Sequence, residues 1–272
     1  MKDYDEKSTV NFSKNLRKNI LNMALSAGSA SSHFGGALSC IDIVAVLFNN
    51  VINFNRENYK SISRDRFILS KGHACMSLYS VLKEINLISE KEMLTFEKSN
   101  SFLLGHPVKN FEKGIELSTG SLGMGLSISM GIALGLKKNE MNSKVYTIIG
   151  DGECNEGSIW EVALSAPKFN LDNLCVILDR NNFQQTGLGK EILDLDPLNE
   201  KWRSFNWEVT EIDGHKYSDI FNALTKRSSK PKIIIANTIK GKGFSFSENN
   251  NDWHHKILTK NQYEEALEEL DK

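Results

Sequence analysis

The sequence predicts an α/β fold: a doubly wound, mostly parallel sheet with helices on both faces. Short runs rich in β-branched residues alternate along the chain with segments of helical periodicity. Two of the runs, 145–149 and 174–178, end directly in polar turns that contain Asp151 and Asn181. A chain of 272 residues with 40% hydrophobic content can bury a sizeable core. Its formal net charge of −1 gives no bulk electrostatic reason to bind nucleic acid or an anionic membrane.

The elements follow from the spacing of apolar residues. Apolar positions recur at helical spacing in segments 12–26, 41–51, 74–85, 124–137, 218–227 and 260–270. The predicted strands are 145–149, 174–178, 207–212 and 232–238, with room for one helix between the first two. The chain shows no internal repeat, low-complexity linker or composition shift that would mark a domain boundary.

Polar residues at the two strand ends predict a ligand site. Asp151 and Asn181 follow neighbouring parallel strands, and open α/β sheets bind ligands at the carboxyl ends of their strands. A carboxylate, an amide oxygen, the backbone carbonyl of Phe183 and phosphate oxygens of a ligand form an all-oxygen set suited to Mg²⁺. Gly150 and Gly152 let the backbone approach a diphosphate closely. The alternative is an ordinary strand-to-helix turn with an Asp cap and a second polar turn nearby.

The segment from Gly150-Asp151-Gly152 to Asn181 resembles the thiamine-diphosphate motif, and residues 155–161 (Asn-Glu-Gly-Ser-Ile-Trp-Glu) resemble transketolases in particular. Further transketolase-like stretches occur in the family's order at 32–36, 65–73, 105–107, 118–125, 240–243 and 253–254. The resemblance covers nearly the whole chain but only the amino-terminal half of a full-length transketolase. It implies a single diphosphate-binding domain over residues 1–272 and a pyrimidine-binding domain on a separate chain.

The resemblance also implies roles for individual residues. The implied contacts to thiamine diphosphate are made by His73, Gly120, Leu122, Gly152, Glu156, Asn181 and His254. The implied ligands of Mg²⁺, or of Ca²⁺ or Mn²⁺ in its place, are Asp151, Asn181 and Phe183. The implied catalytic residues, which act on the sugar, are His33, His106 and His254. A single histidine in a turn is more often a surface or capping residue, but the joint placement of these histidines favours a functional site.

The activity implied by the resemblance is transfer of a two-carbon ketol unit from a ketose or ketose phosphate to an aldose or aldose phosphate. The glutamate that activates the cofactor belongs to the pyrimidine-binding domain in this family, and Glu156 matches a different glutamate at the subunit interface. We therefore expect activity only with a carboxy-terminal transketolase subunit, most simply in an α2β2 assembly. Two alternatives are the alpha component of a 2-oxoacid dehydrogenase and a non-catalytic cofactor-binding subunit. His33, His73 and the 105–107 turn favour transketolase.

Three positions depart from the family pattern. Phe34 replaces a proline after His33, which predicts an aromatic ring near the sugar channel. Glu97 lies where some transketolases carry an arginine that grips the sugar phosphate, and an acid there would repel a phosphate. Gln184 and Gln185 are polar where the family is often apolar. These changes favour a specialised sugar over the usual pentose phosphates.

The remaining reactive residues are predicted to lie outside the chemistry. The cysteines form no Cys-x-x-Cys pair; they are Cys40, Cys75, Cys154 and Cys175. With no charged-then-apolar leader at the amino terminus, this predicts reduced thiols in a cytoplasmic protein, with Cys154 as a space-filling residue. No apolar stretch reaches the roughly 20 residues that span a bilayer. His215, in an Asp-Gly-His turn, and His255 are predicted to have no role in the site.

Overall fold

A sheet of five parallel strands runs through the protein in the computed structural model, which describes residues 4–271. The strands are β1 (Arg66–Leu69), β2 (Val145–Gly150), β3 (Leu174–Arg180), β4 (Glu208–Asp213) and β5 (Lys232–Asn237). Their order across the sheet is β1-β2-β3-β5-β4, and every neighbouring pair is parallel. The predicted α/β class and parallel sheet are confirmed.

Helices connect the strands and cover the sheet. They are α1 (Glu6–Ala27), α2 (Phe34–Ser39), α3 (Ile41–Val46), α4 (Cys75–Glu84), α5 (Glu90–Met93), α6 (Met124–Lys138), α7 (Gly157–Lys168), α8 (Gly189–Ile192), α9 (Leu198–Ser204), α10 (Tyr217–Thr225) and α11 (Lys260–Asp271). Among residues 4–271, no helix is long and apolar enough to cross a membrane.

Two hydrophobic cores lie on opposite faces of the sheet. Successive side chains of a strand point to opposite faces, so Ile148 and Ile177 join the core that α1, α3, α4 and α10 cover. Ile149 and Leu178 join the second core, with α6, α7 and α9. The central strands are therefore buried on both faces, which explains why they read as continuous apolar runs rather than as alternating ones.

Three differences between the structure and the sequence prediction concern β1, α1 and α3, and the short helices α2, α5, α8 and α9 were not predicted. Strand β1 was not predicted, because its four residues are flanked by charged and polar positions that hide the pattern. Helix α1 begins at Glu6 rather than at 12, since the Asp5 carboxylate caps it by accepting from the Ser8 amide at 3.2 Å. The predicted helix 41–51 is α-helical only to Val46 and continues as a π turn over Leu47–Val51.

Strand register determines where the polar turns meet. Gly150 of β2 pairs with Asp179 of β3, and Asp179 pairs with Ala236 of β5. The amide of Asp151 donates to the Asp179 carbonyl at 3.3 Å, so Asp151 follows the sheet immediately beside the end of β3. The ends of β1, β2, β3 and β5 thus converge at one edge, as expected for parallel strands.

The central strand provides a test of the packing. Leu178 is fully buried in β3, whereas the Leu164 side chain on α7 is 66% exposed. We predict that Leu178→Ala lowers the free energy of unfolding by about 3 kcal/mol, because it leaves a cavity between the sheet and α7. Leu164→Ala, the matched control, changes it by less than about 0.5 kcal/mol. Urea denaturation of the two variants measures both values, and equal losses would contradict the core assignment.

Candidate active site

A cavity of about 360 Å³ opens at the carboxyl ends of β1, β2, β3 and β5. All eleven residues to which the resemblance gave a role line it: His33, His73, His106, Gly120, Leu122, Asp151, Gly152, Glu156, Asn181, Phe183 and His254. These residues come from segments more than 200 positions apart in the chain. The tertiary structure therefore brings the predicted set together, while the role of each residue stays a prediction.

Asp151 is a buried carboxylate whose hydrogen-bond donors, within residues 4–271, are backbone amides. Its Oδ2 accepts from the Asn182 amide at 2.6 Å, and its Oδ1 accepts from the Gly152 amide at 2.8 Å. Burial, and then the charge of Asp179, raise the pKa of Asp151 to about 6. A divalent cation would offset this cost, so the surroundings of Asp151 fit a metal ligand.

Asn181 supplies the second predicted metal ligand. Its Oδ1 accepts from the Phe183 amide at 3.1 Å, which fixes the oxygen on the side of Phe183. No group of three His, Cys, Asp or Glu in residues 4–271 is arranged to hold a metal ion. A site made of one carboxylate, one amide and one carbonyl would depend on oxygens of a bound ligand to complete it.

Glu153 is a buried carboxylate to which no role was assigned from the sequence. It accepts from the Gly123 amide at 2.8 Å, from the Gly150 amide at 3.2 Å and from the Ser70 hydroxyl. It therefore joins the ends of β1 and β2 to the turn that precedes α6. An acid that is enclosed by a glycine-rich turn was the only sequence signal for this role.

Four of the predicted histidines form a cluster around His33. The centre of its ring lies 5.5 Å from His73, 5.5 Å from His106 and 5.3 Å from His254. Burial, followed by neighbouring histidines, lowers the pKa of His33 to about 3. Burial and then Lys240 lower the pKa of His254 to about 4. The rings of His33 and His254 are neutral at pH 7, so they suit hydrogen bonding to sugar hydroxyls better than acid–base catalysis near neutral pH.

Two lysines in the cavity wall were not assigned roles from the sequence. Lys71 is buried and forms an ion pair with Asp179, which also accepts from the hydroxyls of Ser39 and Thr238. Burial disfavours the charged form of Asp179, but the charge of Lys71 overcomes this and lowers the pKa of Asp179. A lysine enclosed by glycine and serine in 70–72 was the available signal.

Lys240 is the second of these lysines. Its Nζ donates to Asn251 Oδ1 at 2.6 Å and lies 3.1 Å from His254 Nδ1. Burial, and then the charge of Lys71, lower its pKa to about 8. Lys240 thus remains largely cationic at pH 7, and it gives the cavity a positive charge suited to a phosphate group.

Phe34 corrects one expectation. The predicted aromatic ring near the sugar channel is wrong, because Phe34 is fully buried and packs against Phe244 at 5.9 Å and Trp253 at 5.3 Å between ring centres. Phe34 is the first residue of α2, and its ring lies in the hydrophobic core. Phe34 therefore supports the backbone that carries His33 and does not line the cavity.

Glu97 and His255 lie next to the cavity without lining it. The Glu97 carboxylate packs so closely against Gly105 that a methyl group there would overlap it. This places an acid beside the loop that carries His106. The His255 ring centre is 4.4 Å from His33, and its ring nitrogens lie 3.1 Å from the Ser31 hydroxyl.

Two amide groups on the cavity wall lack hydrogen-bond partners. Asn155 Oδ1 and Gln184 Nε2 are buried, and no residue between 4 and 271 bonds to either atom. Both residues line the cavity, and leaving a buried acceptor and a buried donor unsatisfied is energetically costly. Cys154, the neighbour of Asn155 in the chain, is also buried, and burial raises the pKa of its thiol well above the usual range. This argues against a nucleophilic role, as predicted.

A family model described as "Transketolase, thiamine diphosphate binding domain" matches residues 13–270. The chain belongs to the transketolase family. This match decides between the two enzyme families that the sequence left open, in favour of transketolase over the 2-oxoacid dehydrogenases. The transketolase-type stretches then account for the arrangement of the cavity, since most of them contribute residues to its wall.

Relatives of this transketolase chain fall into two size classes. It is 42% identical to an apulose-4-phosphate transketolase subunit from Actinobacillus succinogenes, over 94% of each chain. It is 40% identical to a 6-deoxy-6-sulfo-D-fructose transketolase subunit from a Clostridium species, over 88% of each chain. The transketolase structure from Campylobacter jejuni superposes with a TM-score of 0.90 at 30% identity, over 98% of this chain and 43% of that one. The chain thus spans less than half of the solved transketolase.

The ion pair between Lys71 and Asp179 gives a testable prediction. Lys71→Met leaves the Asp179 charge buried without a counter-ion and should lower the free energy of unfolding by about 3–5 kcal/mol. The double variant Lys71→Met/Asp179→Asn removes the charge while keeping an oxygen for the Thr238 hydroxyl, so it should be more stable than the single variant. Urea denaturation tests this order, and a single variant that loses under about 1 kcal/mol would contradict it.

Proposed function

We propose that this chain is the amino-terminal, cofactor-binding subunit of a split transketolase, and that it is active only with a carboxy-terminal partner subunit. One observation carries the proposal. A cavity lined by all the residues that the resemblance predicts lies in a chain that spans a relative named as a transketolase subunit nearly end to end, but under half of a solved transketolase. The 1–272 segment is then a single diphosphate-binding domain, and the pyrimidine-binding domain belongs to the partner.

Thiamine diphosphate is the cofactor that the family description names, and the cationic Lys240 in the cavity wall suits an anionic ligand. We assign its contacts to His73, His254, Gly152, Asn181, Glu156 and the backbone of Gly120 and Leu122. Asp151, Asn181 and the Phe183 carbonyl would hold Mg²⁺, or Ca²⁺ or Mn²⁺ in its place. When bound, the cofactor supplies the electron sink for carbon–carbon bond cleavage and formation.

The protein contributes orientation and hydrogen bonds to this reaction. His33, His106 and His254 line the cavity close to one another, where imidazoles can donate to and accept from sugar hydroxyls and the carbonyl oxygen. The low pKa values of His33 and His254 keep these two rings uncharged, so they impose no repulsion on Lys240. The histidine cluster is therefore proposed to orient the sugar, while the residues after the strand ends bind the phosphate groups of the cofactor.

The partner is proposed to complete the site. Glu156 is exposed at the cavity rim, where it can face a second subunit. We propose an α2β2 assembly. We also propose that it is located in the cytoplasm, which the four free cysteines support. The alternative, a cofactor-binding subunit without turnover, predicts binding but no ketol transfer with the partner present.

The substrate is proposed to be a specialised ketose rather than the usual pentose phosphates. Two relatives are named for apulose 4-phosphate and 6-deoxy-6-sulfo-D-fructose. Glu97 places a negative charge beside the loop of His106, where a terminal phosphate would meet repulsion. The anionic end of the sugar would then be bound by groups on other elements or on the partner.

Removal of the proposed metal ligand tests cofactor binding. We expect Asp151→Ala to weaken Mg²⁺-dependent binding of thiamine diphosphate at least about tenfold, because the only charged group among the three proposed protein ligands of the metal is lost. The matched control is Asp172→Ala, which removes an exposed carboxylate that pairs with Lys137 at 2.6 Å on the surface. Calorimetric titration with and without Mg²⁺ gives the affinities. Equal affinity in the two variants would refute the metal site.

Mixing experiments test the division of the enzyme. We expect no ketol transfer from this chain or its partner when each is assayed separately, and clear transfer from the mixture, since the partner supplies the cofactor-activating glutamate. Assays with xylulose 5-phosphate, apulose 4-phosphate and 6-deoxy-6-sulfo-D-fructose as donors should show the lowest kcat/KM for xylulose 5-phosphate. Activity of the purified chain without its partner would exclude a split enzyme, and fast turnover of xylulose 5-phosphate would exclude the specialised sugar.

A further inference from the structure

A buried polar cluster lies behind the cavity, centred on Asp42 of α3. Arg17 of α1 donates to both carboxylate oxygens at 2.8 Å. Ser13 and Tyr217 donate to Oδ1 at 2.7 and 3.0 Å, and His215 Nδ1 lies 2.9 Å from Oδ2. Burial opposes ionisation of Asp42, but the charge of Arg17 and these hydrogen bonds hold its pKa well below the usual range. The charges of Arg17 and Asp42 therefore cancel each other without a contribution from His215.

His215 is the member of this cluster that also contacts the backbone directly before Lys240. Its Nε2 accepts from the backbone amide of Ile239 at 2.8 Å. A backbone N–H can only donate, so Nε2 carries no proton and Nδ1 must donate to Asp42. The ring is thus assigned as the neutral Nδ1–H tautomer, and it bridges a fixed carboxylate to a backbone amide.

The amide that His215 holds precedes Lys240 directly. Residues 238–243, here named the Lys240 loop, are also tied to α2 by the Gly241 amide, which donates to the Gly35 carbonyl at 3.0 Å. From this loop Lys240 reaches the cavity and contacts Asn251 and His254. The hydrogen bond from Ile239 to His215 therefore restrains the backbone directly before Lys240, in addition to the Thr238 amide, which donates to the Arg180 carbonyl at 3.0 Å.

We propose that His215 is a positioning residue for the active site: in its Nδ1–H tautomer it anchors the Lys240 loop to the Asp42 cluster and so places Lys240 and His254 for cofactor and sugar binding. The binding consequence rests on the proposed function, whereas the anchoring of the loop does not. The sequence signal was the Asp-Gly-His turn, from which we predicted an ordinary turn without a role in the site.

A purely structural role for His215 is the competing hypothesis. If the ring were lost, Asp42 would keep Arg17, Ser13 and Tyr217, so the cluster would retain most of its hydrogen bonds. The Ile239 amide would lose the acceptor that His215 provides. The specific consequence is therefore local to the Lys240 loop, and it differs from general destabilisation of the cluster.

Two substitutions separate these hypotheses. His215→Asn keeps a donor near the Nδ1 position but has no atom that reaches Ile239, whereas His215→Gln places an amide oxygen near the Nε2 position. Tyr217→Phe is the control, because it removes a donor to Asp42 without touching the loop. In hydrogen exchange of the chain without its partner, we expect the peptide covering 239–247 to exchange about tenfold faster in the Asn variant and within about threefold of wild type in the Gln and Phe variants.

The same variants are then compared with the partner present. We expect the dissociation constant of thiamine diphosphate to rise about tenfold for Asn and to stay within about threefold of wild type for Gln and Phe. Asn and Gln variants that behave alike, or a Phe variant that matches the Asn variant, would overturn the proposal. If the wild-type assembly binds no cofactor, the proposed function fails, and the exchange comparison still decides the anchoring role.

The wild-type protein provides a test that needs no variant. Nitrogen-15 NMR of the imidazole ring at pH 7 should show a protonated Nδ1 and an unprotonated Nε2 for His215. A doubly protonated ring, or a proton on Nε2, would overturn the proposal, because neither form can accept from the Ile239 amide.

Discussion

The buried ion pair between Lys71 and Asp179 is the interaction on which the cavity depends. Lys71 follows β1, Asp179 lies in β3, and the hydroxyls that complete the carboxylate come from α2 and from Thr238 after β5. Four elements thus contribute to the contacts of one buried carboxylate, that of Asp179. Two charges this deeply buried are tolerated only when they are paired and hydrogen-bonded, so each of these elements is held in one relative position.

Charge balance explains the character of the space above this pair. The Lys71 charge is matched by Asp179, which leaves Lys240 as a cation in the wall and two carboxylates, Asp151 and Glu153, whose charged forms burial disfavours. A bound diphosphate would pair with Lys240, and the divalent metal proposed to accompany it would pair with Asp151. His33 and His254 add polarity without charge, because burial keeps them neutral. The cavity wall therefore combines charged side chains with neutral histidines that can form hydrogen bonds.

The differences between the sequence predictions and the structure have physical causes. Strand β1 is too short and too polar at its ends for a periodic signal, although it carries Lys71 into the site. Phe34 was expected at the channel because it adjoins His33, yet consecutive residues at a helix start point in different directions, and its ring packs on Phe244. His215 lies outside the cavity and acts on it through a backbone amide, which no residue pattern records.

The sequence by itself determined the α/β class, the order of most elements and the two polar turns of the site, because apolar periodicity records burial and because polar residues at the ends of buried strands seldom contribute to core packing. The other predicted cavity residues were indicated by the family resemblance. Tertiary structure decided which distant groups meet. Lys71 and Asp179 are 108 positions apart, and Asp42 and His215 are 173 apart. A lysine that forms a buried ion pair and a lysine on the surface have the same local sequence pattern, since the compensating charge comes from elsewhere in the chain. Only the fold places that charge.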